Sequence, residues 1–136
     1  MFLFSIGCAT EKPQDLFNQN QQRWIAQDIR DYRYQLQVLC FCPPDITKPV
    51  IIEVRNAEPV AVTDVTSGAP VDTDYFDNYN TINKMFATIQ DAFDRDAYKV
   101  TVSYHQLGYP TNIYIDFIQL AADDEITYII SNFQPL

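Results

Sequence analysis

Tyr32-Arg33-Tyr34-Gln35-Leu36-Gln37-Val38-Leu39-Cys40-Phe41-Cys42-Pro43-Pro44 decides how the chain is read. From Tyr32 the apolar residues recur at every second position. Tyr32, Tyr34, Leu36, Val38 and Cys40 share one face, and Arg33, Gln35 and Gln37 share the other. Successive side chains of a strand point to opposite sides, so this is a strand with one buried and one solvated face, as in an antiparallel sheet packed on one side. Cys42 keeps the parity of Cys40, which starts both thiols on the core side. Pro43-Pro44 ends the strand, because neither residue has an N–H for a ladder and each restricts its predecessor.

The same period recurs outward from that strand. Val50-Ile51-Ile52-Glu53-Val54-Arg55 reads as a second strand, Asn56-Ala57-Glu58-Pro59 as a turn and Val60-Ala61-Val62-Thr63 as a third strand, together a hairpin. Asn56 suits a positive-φ turn position; Ala57 suits one less well than Gly would. Further along, Tyr98, Val100, Val102 and Tyr104 alternate with Lys99, Thr101, Ser103 and His105. Ile113, Ile115 and Phe117 then alternate with Tyr114, Asp116 and Ile118, and Ile126, Tyr128 and Ile130 with Thr127, Ile129 and Ser131. Two stretches have the helical period instead. Residues 15–30, capped by Asp15, carry Phe17, Trp24, Ile25 and Ile29 with Gln21 breaking the stripe. After a cap at Asn80 or Thr81, Ile82, Met85, Phe86, Ile89 and Phe93 make a cleaner one.

The predicted order is helix, three strands, helix, three strands. Short turns between consecutive strands make them antiparallel, so the expected fold is α+β: a sheet of about five or six strands with both helices on one face. Each helix runs into Arg-Asp (Arg30-Asp31, Arg95-Asp96) before a strand, two short matches that fit an old duplication. The 136 residues, 47% of them hydrophobic, suffice for one domain with a sizeable core, expected over residues 15–136.

Charge and glycine content narrow the partners. A net charge of −9 repels nucleic acid, and repels an anionic membrane unless a lipid holds the chain there. With three glycines the chain does not provide a glycine-cradled nucleotide site. Residues 1–14 read as a signal remnant and spacer. Met1-Phe2-Leu3-Phe4-Ser5-Ile6-Gly7-Cys8 is apolar up to a small residue and a cysteine, then turns polar, like the end of a bacterial lipoprotein signal in which Cys8 becomes the acylated N-terminus. The apolar run lacks a basic start and is shorter than a complete signal, which points to a truncated or mis-assigned start.

With Cys8 set aside, Cys40 and Cys42 remain as an even pair. In an oxidising compartment a disulfide between them is the simplest expectation. Such a small ring acts either as a staple at the strand end or as a reducible switch. The staple is preferred, since no basic residue immediately flanks the pair to lower a thiol pKa. Two thiols and the single His105 fall short of a closed zinc site, and no metal or cofactor is predicted. His105 with Ser103 and Asp116 lacks the surroundings of a nucleophilic serine. Asp72, Asp74 and Asp77, and separately Asp123, Asp124 and Glu125, are read as solvated turns rather than calcium loops. Approach of Asp116 to Glu125 stays open as a carboxylate pair.

The stretch Cys40-Phe41-Cys42-Pro43-Pro44 resembles an uncharacterised bacterial family, domain of unknown function 6174. The likeness continues through Pro70-Val71-Asp72 with Tyr75-Phe76-Asp77, Gly108-Tyr109-Pro110-Thr111 with Ile113-Tyr114-Ile115-Asp116, and Ala121-Ala122-Asp123-Asp124-Glu125-Ile126. It spans roughly residues 20–132, and Ala57 departs from it where similar proteins tend to have Gly. The resemblance implies an exported or lipid-anchored protein and brings no catalytic residue. The expected function is therefore a non-enzymatic domain of the bacterial cell envelope, anchored at Cys8, that binds a protein or peptide. Its sheet face (Tyr114, Ile118, Ile129) or its tyrosine-rich loops are the candidate surfaces. The rival is a thiol–disulfide switch at Cys40 and Cys42.

Overall fold

A computed structural model describes residues 11–121 and 124–136. The chain runs α1 (Pro13–Gln27), β1 (Tyr32–Cys40), a one-turn α2 (Pro44–Thr47), β2 (Val50–Arg55) and β3 (Glu58–Asp64). It continues through a 3-10 turn (Tyr75–Asn78) into α3 (Ile82–Asp94), β4 (Lys99–Tyr104), β5 (Pro110–Asp116) and β6 (Glu125–Pro135). The strands form one antiparallel sheet of six in the order β3-β2-β1-β6-β5-β4. The α+β fold and the order read from the sequence are those observed. Each half is a three-stranded meander, and the halves meet where β1 pairs with β6, from Tyr32 opposite Pro135 to Cys40 opposite Ile126.

The period-two pattern decides what is buried. Tyr32, Tyr34, Leu36 and Val38 of β1, Val50, Ile52 and Val54 of β2, Ile113 and Ile115 of β5, and Tyr128 and Ile130 of β6 all lie in the core. Full burial of a side chain of this size contributes about 2 kcal/mol. α3 brings Ile82, Met85, Phe86, Ile89 and Ala92 to the same face. Its start is doubly held: Thr81 Oγ1 accepts from the Lys84 N–H at 3.0 Å, and the Tyr32 hydroxyl accepts from the Ile82 N–H at 2.9 Å. These donors belong to the first turn of the helix, which has no carbonyls of its own for them.

α1 departs from expectation in three ways. It starts with Pro13 at the first helical position after Lys12, and Asp15 sits inside its first turn rather than at the cap. It ends at Gln27, because Asp28 turns left-handed (φ 52°). Its buried stripe is Phe17, Asn20 and Trp24, leaving Ile25 62% exposed and Ile29 half-buried. The stripe bypasses Gln21: Asn20 takes the inner position and satisfies its amide on the Leu16 carbonyl at 2.8 Å. Trp24 is the hub. Its ring meets Tyr32, Tyr109 and Phe133 edge-on, and Nε1–H donates to Asn83 Oδ1 of α3 at 2.9 Å.

The loops hold the other departures. Pro43-Pro44 ends β1 as predicted, but Pro44 also starts α2. β6 extends four residues past Ser131 to Pro135, with a register shift opposite Arg33 and Gln35. β5 stops at Asp116, which leaves Ile118 beyond the strand. Asn56 and Ala57 both take positive φ (52° and 65°) in the β2–β3 turn, so an alanine occupies a position that glycine suits better. The β4–β5 turn lies against α1 at Gly108 (φ 104°), where an added Cβ would run into the Asn20 carbonyl oxygen and the Trp24 nitrogen.

Gly108→Ala is therefore expected to destabilise the domain by about 2–4 kcal/mol, since both the left-handed φ and the contact with helix backbone oppose it. Gly68→Ala, with φ 73° but open space around it, should cost only about 1 kcal/mol. Urea midpoints of the two variants check the difference, and equal losses would contradict the close packing at Gly108.

Candidate functional site

One end of the sheet holds a solvent-open cleft of about 620 Å³. The strand ends make its floor: Ile115 of β5, Phe117 just beyond it, and Ile126 and Tyr128 of β6. Ile115 and Tyr128 belong to the core, and Phe117 and Ile126 beside them are half-buried. Lys84, Ala87, Thr88, Asp91 and Arg95, spaced along one flank of α3 and its cap, form one wall. Cys40, Phe41 and Cys42 form the wall opposite, Asp77 and Tyr79 of the tyrosine-rich loop close the top, and Asp124 and Glu125 stand at the lip. The cysteine stretch thus walls a cleft at the end of a central strand and braces no sheet edge. The Cα atoms of Cys40 and Cys42 are 5.2 Å apart with the sulfur atoms facing each other, within the span of a disulfide.

Large apolar side chains are exposed at this end of the sheet, Phe41 among them on the cleft wall. Phe41 is 82% exposed, Ile118 60% and Leu120 93%, and Leu39 is exposed on the same strand end. They gather because β1 and β5 finish at this end, with β6 starting between them.

The charges inside sort into used and unused. Lys84 Nζ donates to the Asp77 carbonyl at 2.8 Å and to Asn80 Oδ1 at 2.9 Å. Arg95 pairs with Asp91 at 3.2 Å and lays its guanidinium 4.4 Å from the centre of the Phe117 ring. Both cations are thus committed locally. Among the described residues, Asp77, Asp124 and Glu125 have no ion-pair partner, so the cleft is negative on balance.

Behind the lip, Asp116 lies opposite Glu125 in the β5–β6 ladder, the approach the sequence left open. Asp116 is only 8% exposed, and its carboxyl group stands beside that of Asp124, with Asp116 Oδ1 and both Asp124 oxygens closed off from solvent. Loss of solvent raises the Asp116 pKa first, followed by the charge and hydrogen bond of neighbouring Asp124 and by Glu125. The Ile118 backbone amide acts in the opposite direction. Tyr114 donates its hydroxyl to Glu125 Oε1 at 2.8 Å, which pushes the phenol up to about 12.

The other sequence candidates fall elsewhere. Tyr114 and Ile129 are half-buried on the sheet face opposite the helices, and Ile118 is exposed just past the end of β5. Of the tyrosine-rich loop, Phe76 is core, while Tyr75 and Tyr79 are half-buried and stack toward Tyr128, with rings 5.4 and 5.0 Å apart along the series. His105 lies at the far end of β4. Lys99 is the β4 residue opposite Asp116, so His105 stands roughly 20 Å along the sheet from it. Its Nδ1 accepts from the Leu107 N–H at 3.0 Å and its ring stacks on Tyr109, a turn-bracing role. Asp72 and Asp74 are exposed, and no three acidic, cysteine or histidine side chains among the described residues are placed to hold a metal. Cys8 and Asp123 lie outside the described residues.

A family of unknown function, DUF6174, matches residues 16–135. The chain belongs to this family. No curated protein and no solved structure matches it. Stretches far apart in this member meet at the cleft: Cys40 to Cys42, Asp77 to Tyr79, Ile115 with Phe117, and Asp124 to Ile126. Proximity of Asp124 and Glu125 to the cysteine pair was not read from the sequence. The signal for it is the Cys40–Ile126 register, which depends on knowing that β6 pairs with β1.

A carboxyl whose pKa is higher folded than unfolded binds more protons in the native state. Stability should therefore fall as pH rises from about 4, the ordinary carboxylate value, through the raised value of Asp116. Asp116→Asn is expected to flatten that fall, read as urea midpoints across the acidic range. Parallel curves for the variant and the parent would contradict the assignment.

Proposed function

We propose that this chain is a non-enzymatic domain of the bacterial cell envelope that binds a protein or peptide in the cleft beside Cys40 and Cys42. The observation that carries the reading is Phe41. A phenylalanine 82% exposed on the wall of an apolar-floored cleft is an anchor of the kind that dominates binding energy once covered. Ile118 and Leu120 are exposed at the same end of the sheet, and Tyr114 and Ile129 offer a second, flatter surface on the open sheet face. The anchor in this reading is a lipid on Cys8, with the domain on the outer side of the membrane.

The cysteine pair is assigned as a disulfide that fixes the cleft wall and holds Phe41 outward. Its surroundings favour a staple over a switch. Lys84 and Arg95 line the same cleft, which the flanking sequence did not reveal, yet both are committed to other groups. The unpaired carboxylates nearby disfavour the thiolate that exchange requires. The switch remains the second reading because the pair lines the cleft.

Peptides selected from a displayed library on the parent domain should bind Phe41→Ala about tenfold more weakly or worse, and Ile25→Ala unchanged. If binding survives Phe41→Ala and is lost instead in Tyr114→Ala, the cleft is the wrong surface. In a Cys8→Ser background, thiol counting should find no free thiol before reduction and two after it. The couple should have a potential below about −300 mV; a potential near about −200 mV would support the switch instead.

A further inference from the structure

We infer that this domain pairs with a second copy of itself along the outer edge of β4, which continues the sheet across a two-fold axis. The inference does not depend on the peptide-binding reading of the cleft.

The open sheet ends in β3 on one side and β4 on the other. An edge strand offers a row of unpaired N–H and C=O groups and templates pairing unless something covers or interrupts it. β3 is covered. The Asp64 N–H donates to the Ala69 carbonyl and the Val71 N–H to the Val62 carbonyl, each at 2.9 Å, and Pro59 removes a donor near the strand's start. β4 has no such cover among the described residues. The Tyr98 N–H donates to the Phe117 carbonyl at 3.1 Å. Alternation along an antiparallel ladder then turns the backbone groups of Val100 and Val102 to β5 and those of Lys99 and Thr101 outward. The outward groups have no partner among the described residues, and the strand runs unbroken from Lys99 to the bulge after Ser103.

This edge is complementary to itself. Antiparallel pairing centred on Thr101 keeps the core face of one copy level with that of the other, which a slip by one residue would not. Each Thr101 N–H then meets the other copy's Thr101 carbonyl, and each Ser103 N–H the other's Lys99 carbonyl. On the core face Val100 comes opposite Val102, and Tyr98, 52% exposed, opposite Tyr104. Aromatic, β-branched and threonine pairs are the favourable cross-strand neighbours. Beside them a groove of about 260 Å³ opens between β4, Phe93 and the start of α1, where Leu16 is exposed. The two-fold sets the two grooves side by side, so the contact covers apolar surface as well as backbone.

Charge singles out the same edge. Two copies at −9 repel each other in general. Residues 97–115 nevertheless contain no Asp or Glu, the longest such run in a chain that holds 18 of them. Two acidic copies therefore approach here with least repulsion, and the register places each Lys99 opposite a serine rather than another lysine.

The test is sedimentation equilibrium of the full chain carrying Cys8→Ser, from about 1 μM to about 1 mM. The mass should double with concentration, with a Kd on the order of tens of micromolar, the weak end expected of a short contact. Thr101→Lys puts like charges opposite each other at the axis and should weaken the dimer about tenfold or more. Thr101→Pro removes the outward N–H, is tolerated on an edge strand and should behave alike. Phe41→Ala should dimerise like the parent. Thermal unfolding checks that each variant folds; if Thr101→Pro does not, Thr101→Lys, a change at an exposed position, decides. The Thr101 amide should also exchange more slowly with solvent as concentration rises. A monomer mass throughout the range would overturn the inference. So would a dimer that survives the Thr101 variants, or one lost in Phe41→Ala instead, which would place the contact at the cleft.

Discussion

The pairing of β1 with β6 is the constraint on which the rest depends. Every other strand contact joins neighbours in sequence through a turn or short connection, whereas this one joins Tyr32–Cys40 to Glu125–Pro135. It fuses two meanders into one sheet and makes a single core under Trp24 and α3. By setting Cys40 opposite Ile126, it also brings the cysteine stretch within one cleft of Asp124 and Glu125. The candidate site is thus a by-product of the longest-range register in the molecule.

The site also shows why acidity by itself is a poor guide to function. A formal charge of −9 is mostly spread over exposed positions, where solvent screens it. Behind the lip, Asp116 stands out of water beside Asp124, and there a carboxyl group shifts its pKa or acquires a partner. Asp116 differs from Asp72 and Asp74 through its surroundings alone.

The sheet was legible because alternation is local: each strand announces itself over six or so residues, and Tyr32 to Cys40 did so without tertiary information. α3 was legible for the same reason, its apolar spacing being clean. α1 was read less well. Its inner face includes Asn20, which satisfies itself on its own helix and so breaks the apolar pattern without breaking the packing. The tyrosine-rich loop looked like a surface from composition, yet Phe76 is core and Tyr75 and Tyr79 fill space beside Tyr128. Loop burial depends on what lies beneath, and no periodicity reports that. The meeting of Asp124, Glu125 and the cysteine pair was invisible for a related reason: it requires the order of strands in the sheet as well as their existence.

The position of β6 has a consequence for how the domain is made. It is the last synthesised of the six strands, yet it sits in the middle of the sheet. Until it is available, β1 and β5 each present an unpaired ladder, with Tyr34, Leu36, Ile113 and Ile115 lacking their central neighbour. Hairpins on either side can form early, being local, but they cannot share a core. A chain interrupted before residue 125 would therefore display two open strand edges of high β-propensity, the feature that templates intermolecular pairing. Quality control of this fold falls on its final strand.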